Sequence, residues 1–326
     1  KKTELICQQR SHFMFSKTRK KDIPAKNRSQ NRRPTPPRGD ALKSSINRPA
    51  TNRQANSRPI INKQASYRPA PIKPPKNSYL IWGRHAVFAA LENNNRRIAQ
   101  IYAAGNNNEL DLQSHLGTLP PERCNNLPPI ERTDRQQLDD VAGPHNKAVH
   151  QGIVAAVWPV EPPCLDDFLA SHQNSPLRLL LLDHVSDPRN VGAIMRSGRA
   201  FGVAAVITTF RNSAQENGAL ARAASGALDY LCYLRVTNLA RTIERLRQDH
   251  ITVAGLAGDG DMTVASLSGI DRLAIVLGAE GRGLRRLSRD QCDLLVRIDI
   301  ERDSDSLNVS NAAAIALYAV STLSGR

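Results

Sequence analysis

Residues 177–196 read LRLLLLDHVSDPRNVGAIMR. The first part is a continuous apolar run, which is typical of a strand that is covered on both faces in a parallel sheet. Ser186 or Asp187 can cap a helix that follows, and Pro188 suits the first turn of that helix. The helix would place Val191 and its apolar neighbours on one face, against the sheet. This stretch therefore predicts one strand-and-helix unit of an α/β fold.

The same alternation continues to the end of the chain. We predict strands over residues 177–182, 203–208, 231–236, 252–257, 273–277 and 294–300. We predict helices over residues 188–201, 219–225, 239–249 and after Asn308. Strands that alternate with helices indicate an α/β domain with a parallel sheet, which we place over residues 177–326.

A smaller α/β domain is predicted over residues 78–158. Its strands are expected over residues 79–82, 98–103 and 152–158, and its helices over residues 84–92, 110–116 and 135–141. Residues 159–176 contain four prolines, so we predict a linker there with one short helix over residues 166–170.

The amino-terminal segment, residues 1–77, differs in composition from the rest. It holds 20 of the 45 basic side chains, three of the 30 acidic ones and ten of the 20 prolines, so it supplies the chain's net charge of +15. With few large apolar residues, it cannot offset the entropy cost of ordering, and we predict a disordered basic tail. The single sign of its charge favours contact with a polyanion such as RNA.

Composition also excludes several classes of protein. No stretch approaches the roughly 18 apolar residues of a membrane span. The cysteines are scattered and never spaced C-x-x-C, which argues against a disulfide framework and a structural zinc site and leaves no metal site expected. They are Cys7, Cys124, Cys164, Cys232 and Cys292. With no apolar leader pattern at the amino terminus, we expect a cytoplasmic protein.

Three segments of the larger domain are candidates for chemistry. Arg196 lies about 140° from Val191 around its helix, so it is free to serve a site, although most lone arginines are simply exposed on the surface of a helix. The loop 278–283 has three glycines spaced G-x-x-G-x-G, which fits neither common nucleotide-binding pattern and is also compatible with a tight connection. Ser306 or Asn308 can cap the last helix, which is apolar almost all round and must be buried in its own domain or against another subunit.

Taken in order, these segments resemble the three motifs of the SpoU class of RNA ribose 2′-O-methyltransferases, in the SPOUT superfamily. The smaller domain resembles the RNA substrate-binding module of that family, an L30e-like fold, through residues 83–87 and 150–154. With this module and residues 278–281, the chain is most similar to the branch that methylates a guanosine ribose in 23S ribosomal RNA.

The resemblance implies the cofactor, the topology and the assembly. It implies a carboxyl-terminal trefoil knot, which is an exception to the rule that chains do not thread loops. It implies S-adenosyl-L-methionine bound in that knot, largely by backbone groups around Gly278, Ile298 and Leu307. It also implies a homodimer, which suits the apolar last helix.

The resemblance also implies roles for five polar residues. Arg196 occupies the catalytic position of the first motif. Since a guanidinium has a pKa above about 12, we expect it to stabilise the alkoxide that forms on the ribose, rather than to remove the proton. Asn190, Glu280, Ser306 and Asn308 occupy the other polar positions and are expected to orient Arg196, the ribose or its phosphate.

One departure keeps a second hypothesis open. The third motif commonly begins Ile-Pro-Met, whereas this chain has Ile298-Asp299-Ile300. Loss of the proline would loosen a rigid turn, and Asp299 would bring charge near the adenosine pocket and lower cofactor affinity. The alternative is therefore a non-catalytic RNA-binding or ribosome-assembly protein that retains the fold. A Rossmann-type enzyme is disfavoured because the glycine loop has the wrong spacing and location.

Overall fold

A computed structural model describes residues 72–141, 150–301 and 306–323. Residues 1–71, which make up most of the predicted tail, lie outside the described residues, so the disorder expected there stays a prediction. The described chain contains two β-sheets that belong to one compact unit.

The smaller sheet has four strands and forms the amino-terminal block. Its elements are β1 (Tyr79–Trp82), α1 (Arg84–Glu92), β2 (Ile98–Ala104), α2 (Asn106–Leu116), α3 (Pro121–Asn125), β3 (Ile130–Thr133), α4 (Arg135–Val141) and β4 (Ile153–Val157). The strand order is β1-β4-β2-β3, with β4 antiparallel to β1 and β2. We did not predict α3 and β3. Helix α3 has only five residues, and strand β3 is half exposed with one apolar side chain. Neither therefore shows the regular spacing of apolar residues by which an element is predicted.

The larger sheet has seven parallel strands, which confirms the predicted parallel α/β architecture. The strands are β5 (Leu177–Asp183), β6 (Ala205–Thr209), β7 (Cys232–Val236), β8 (Thr252–Leu256), β9 (Met262–Thr263), β10 (Arg272–Gly278) and β11 (Leu294–Arg297), in the order β7-β6-β5-β10-β8-β11-β9. We did not predict the two-residue β9. Our prediction for β11 was three residues too long. Its neighbours β8 and β9 stop pairing with it at Leu256 and Thr263, so no strand is present to form hydrogen bonds with residues 298–300.

Helices cover both faces of the larger sheet. They are α5 (Leu165–Ala170), α6 (Pro188–Ala200), α7 (Gly218–Ala224), α8 (Leu239–Gln248), α9 (Arg286–Asp290) and α10 (Val309–Leu323). The Asp187 carboxylate caps α6, as one of the two candidate caps predicted. Val191 is fully buried in the core that α6 shares with α10, whereas Ile243 of α8 lies in a second core on the other face. Burial on both faces accounts for the continuous apolar runs.

The two blocks meet at a tight interface. An added Cβ on Gly218, at the start of α7, would lie 2.2 Å from the Trp82 ring, so only a glycine permits this approach. Beside this contact, the guanidinium of Arg96 is 1% exposed and donates to Asp229 at 2.7 Å, and it also pairs with Glu216. A buried cation of the smaller block therefore holds two carboxylates of the larger one.

Candidate functional site

A cavity of about 280 Å³ opens at the carboxyl ends of β8 and β10. In parallel α/β sheets this edge is where ligands bind. Gly278, Ile298 and Leu307, which we predicted as cofactor contacts, all line the cavity. The structure therefore gathers three residues between positions 278 and 307 around one space.

The glycine loop after β10 folds back on itself at this cavity. The Gly283 N–H donates to the Ala279 carbonyl at 2.9 Å, and these two residues form an antiparallel bridge. Gly283 has a φ of +64°, which favours glycine. An added Cβ on Gly278 would lie 2.1 Å from the Gly283 carbonyl carbon, so no side chain fits there. This close approach of backbone to backbone fixes the loop that forms one side of the cavity.

Three of the predicted polar residues meet at the rim. The Asn190 side-chain amide donates to the Glu280 carboxylate at 2.9 Å. The Asn308 side-chain amide donates to the same carboxylate oxygen at 2.5 Å and to the side-chain oxygen of Asn190 at 3.1 Å. Glu280 itself lines the cavity. One residue from each of the three sequence segments thus takes part in a single hydrogen-bonded cluster.

Asn308 is fixed by a second function as helix cap. Its side-chain oxygen accepts hydrogen bonds from the Ser310 N–H at 2.9 Å and from the Ser310 hydroxyl at 2.6 Å, in the first turn of α10. The cap leaves its amide N–H groups free to donate to the other two members of the cluster. Sequence had offered Ser306 or Asn308 as the cap. The structure uses Asn308, and Ser306 lines the cavity instead.

Arg196 stands apart from this cluster. It is exposed on α6, six residues beyond Asn190, which corresponds to about 9 Å along the helix. Among the described residues, its guanidinium has no hydrogen-bond or ion-pair partner, and it does not line the cavity. The expected freedom of this side chain is observed, but the structure does not bring it into contact with the other four polar candidates.

Asp299 does not lie where we expected its charge. Ile298 and Ile300 line the cavity, whereas Asp299 between them does not. Its carboxylate is exposed and pairs with the Arg297 guanidinium at 2.9 Å. In an extended segment alternate side chains point to opposite sides, which accounts for the difference.

An ion pair between a buried aspartate and a half-exposed arginine holds the end of β5, and we did not predict it from the sequence. The Asp183 carboxylate is 0% exposed and accepts from the Arg285 guanidinium at 2.6 Å and from the Arg285 N–H at 3.1 Å. It therefore ties the glycine loop to the strand that precedes α6. An aspartate at the end of an otherwise apolar strand was the available signal, because such a carboxylate needs a partner when buried.

Within the described ranges, no group of three or more His, Cys, Asp or Glu residues is arranged to hold a metal ion. In the same part of the chain, no helix has the length and apolarity to cross a membrane.

Comparison with known proteins gives matches over the same two blocks. The SpoU rRNA Methylase family model matches residues 178–318, and the model for RNA 2'-O ribose methyltransferase substrate binding matches residues 80–163. The chain is 39% identical over 244 residues to the 23S rRNA (guanosine-2'-O-)-methyltransferase RlmB of Escherichia coli K12, which covers 74% of this chain and 97% of that protein. The RlmB of Pseudomonas aeruginosa is 37% identical over 243 residues, which covers 74% and 94%.

A solved structure has the same fold. The SpoU methyltransferase AviRb from Streptomyces viridochromogenes, in complex with the cofactor AdoMet, matches with a TM-score of 0.63 and 23% identity. The match covers 77% of this chain and 92% of that one.

Proposed function

The chain belongs to the SpoU rRNA methylase family, and from that premise we propose that it methylates the ribose 2′-hydroxyl of a guanosine in 23S ribosomal RNA with S-adenosyl-L-methionine. The observation that carries the proposal is the convergence of Asn190, Glu280 and Asn308 in one cluster at the rim of a cavity, although they are up to 118 residues apart. The RlmB relatives support the choice of substrate.

The cavity suits S-adenosyl-L-methionine in its chemistry. Gly278 contributes to the lining, while Leu256, Ile298 and Leu307 provide apolar walls for a heterocyclic base. We assign Gly278, Ile298 and Leu307 to hold the cofactor. When bound, it supplies a methyl group on a positively charged sulfur, and the thioether that leaves is neutral.

Arg196 acts on the nucleophile. A ribose hydroxyl is weakly acidic, so the barrier lies in the negative charge that develops on its oxygen. A guanidinium stays protonated and donates hydrogen bonds to that oxygen, in the manner of an oxyanion hole. The absence of any internal partner among the described residues leaves all five N–H donors of Arg196 available for the RNA.

The other polar candidates position the reactants. Glu280 is held by two amides, so its orientation is set, and its remaining carboxylate oxygen is available to the ribose. Asn190 links this cluster to the helix that carries Arg196, which makes it a positioning residue. Ser306 lines the cavity beside Glu280 and is assigned to the ribose or its phosphate.

We assign the two blocks distinct tasks. Residues 78–158 form an L30e-like domain that binds the RNA, residues 159–176 are a linker, and residues 177–326 form the methyltransferase domain. The match of the smaller block to a substrate-binding family model supports this division. The basic tail, residues 1–77, adds affinity for the RNA backbone. Because the substrate is ribosomal RNA, we place the protein in the cytoplasm.

We further propose a homodimer and a carboxyl-terminal trefoil knot. On α10, Ile315 is 40% exposed and Tyr318 is 59% exposed. The Tyr318 ring meets Phe201, at the end of α6, edge to face at 6.2 Å between centroids. A second copy of the chain would cover this apolar surface. The family membership supports the knot.

A methylation assay tests the proposed function. Transfer of labelled methyl from S-adenosyl-L-methionine to unmodified 23S rRNA is measured for the wild type, Arg196→Ala and Arg196→Lys. We expect Arg196→Ala to lower kcat by about 100- to 1000-fold, as for loss of an oxyanion-hole donor, with cofactor affinity unchanged. Arg199→Ala is the control, because Arg199 lies on the same helix and stacks on the Tyr230 ring. Equal rates for wild type and Arg196→Ala would refute the role of Arg196. RNA binding with no cofactor binding would favour the non-catalytic alternative.

A further inference from the structure

A second cavity, of about 420 Å³, lies at the carboxyl ends of β5, β6 and β7. We call it the basic cleft. The loop that lines the first cavity with residues 278–281 and 283 continues into the basic cleft, which it lines with residues 285–288. The cleft is therefore the neighbour of the proposed methyl-transfer site, and nothing in the mechanism above uses it.

The lining of the basic cleft is cationic. Arg211, Arg285 and Arg286 line it, and none of its described lining residues is acidic. Arg285 is partly neutralised by Asp183. The guanidinium groups of Arg211 and Arg286 are exposed and have no hydrogen-bond or ion-pair partner among the described residues. Two unpaired cations at one concave surface attract an anion.

The beginning of α8 adds backbone donors to the same cleft. The Asn238 side chain caps this ten-residue helix and accepts from the Arg241 N–H at 3.2 Å. The next two residues, Leu239 and Ala240, line the cleft, and their N–H groups have no acceptor within the described chain. Free N–H groups at a helix start, together with the helix dipole, favour a bound anion.

A buried hydroxyl gives an independent sign of a ligand. Ser288 lines the basic cleft and is 1% exposed, yet its hydroxyl oxygen has no hydrogen-bond partner among the described residues. Buried polar groups are nearly always paired, so an unpaired hydroxyl in the lining of a cavity is a candidate partner for a ligand atom.

An exposed aromatic ring adjoins the cleft. Phe210, which directly precedes Arg211, is 55% exposed, and the Arg235 guanidinium lies 5.1 Å from its ring centroid. Phe210 lines a shallow depression that shares Thr237 and Asn238 with the basic cleft. An exposed ring beside arginines is the arrangement on which the bases of single-stranded RNA stack. A small free anion has no base that could stack on this ring.

We propose that the basic cleft binds phosphodiester groups of the substrate RNA next to the methylated nucleotide, and that Phe210 stacks on a base of the same strand. This proposal rests on the proposed function for the identity of the RNA. Arg211, Arg286 and the start of α8 hold the phosphates, and the Ser288 hydroxyl donates to one of them.

The test compares single variants in RNA binding and turnover. Arg211→Gln and Arg286→Gln are measured against Arg222→Gln, a control at an exposed arginine of α7 outside the cleft. Binding of a 23S rRNA fragment is followed by fluorescence anisotropy over a range of salt concentrations. We expect each cleft variant to bind about tenfold more weakly, as for loss of a hydrogen bond to a charged group. The slope of log affinity against log salt should fall by about 0.7–0.9 for each variant.

Three other readouts make the outcome specific. Turnover should show a raised KM with kcat and S-adenosyl-L-methionine affinity unchanged. Ser288→Ala and Phe210→Ala should weaken RNA binding without lowering the melting temperature. Inorganic phosphate should compete with the fragment only at far higher concentration.

Contrary results separate this proposal from the proposed function. If the wild type methylates RNA while Arg211→Gln and Arg286→Gln behave like Arg222→Gln, the cleft is not an RNA site. If inorganic phosphate binds as tightly as the fragment, the cleft is a small-anion site and the proposal is wrong. If the cleft variants lose RNA affinity but the wild type transfers no methyl group, the cleft proposal stands and the proposed function fails.

Discussion

Removal of the Arg96 guanidinium should cost more stability than removal of any exposed arginine. Arg96 is 1% exposed and holds Asp229, whose side chain is 3% exposed, and Glu216, at 13%. It also donates to the Trp158 carbonyl at 2.9 Å. Arg96→Met keeps the apolar stem but leaves two buried carboxylates without a cation. Breaking a buried ion pair from one side costs about 3–5 kcal/mol, because the remaining charge is uncompensated.

The assay is thermal unfolding of the full chain. At roughly 2–4 °C per kcal/mol for a domain of this size, Arg96→Met should melt about 6–20 °C below the wild type. The neighbouring Arg97 is exposed and stacks on the Trp158 ring at 4.7 Å, so Arg97→Met is the matched control. The stacking of Arg97 contributes about 0.5–1 kcal/mol, so we expect the melting temperature of Arg97→Met to fall by no more than about 4 °C. Melting temperatures of the two variants within 2 °C of each other would refute the reasoning.

The loss should also depend on pH. Burial raises the pKa of Asp229 above its usual range, and Arg96 opposes that shift. Without Arg96 the pKa rises further. A carboxyl whose pKa is higher in the folded than in the unfolded state destabilises the fold above that pKa, and the penalty shrinks as the pH falls through it. The difference in melting temperature between Arg96→Met and wild type should therefore narrow from pH 7 to pH 5, and a gap that widens would contradict this assignment.

Three other predictions concern the cofactor loop, the thiols and the tail. Gly278→Ala should abolish S-adenosyl-L-methionine binding in calorimetry, because its Cβ would lie 2.1 Å from Gly283, and wild-type affinity would contradict the proposed contact. Burial raises the pKa of Cys292 to about 12, so a maleimide at pH 7.5 should modify the exposed Cys164 before Cys292, and equal labelling rates of these two thiols by mass spectrometry would contradict the burial of Cys292. Deletion of residues 1–77 should weaken RNA binding and flatten its salt dependence with cofactor affinity unchanged, whereas an unchanged slope would rule out a role for the tail.

Strands with strong apolar runs were predictable from sequence, and weakly patterned ones were not. β5 was predicted to within one residue. Its continuous apolar run is typical of a buried strand, and the cap at Asp187 marks where the next helix begins. β3 and β9 were missed because their residues are half exposed or too few to show a period. Pairing with a neighbour determines such strands, and a single sequence does not display that pairing.

The site could be predicted only in part from the sequence, for a similar reason. Asn190, Glu280 and Asn308 were reached through resemblance, because no local rule connects side chains that lie 118 residues apart. The pair of buried Asp183 with Arg285 was not predicted, since charged residues in a sequence are most often exposed. Tertiary structure alone decides which charges meet.

The central claim is tested most directly by mapping ribose methylation across 23S rRNA from cells with and without the gene. We expect that one guanosine loses its 2′-O-methyl group when the gene is deleted. The wild-type gene should restore that group, and a gene carrying Arg196→Ala should not. Identical methylation maps with and without the gene, or full restoration by Arg196→Ala, would contradict the account.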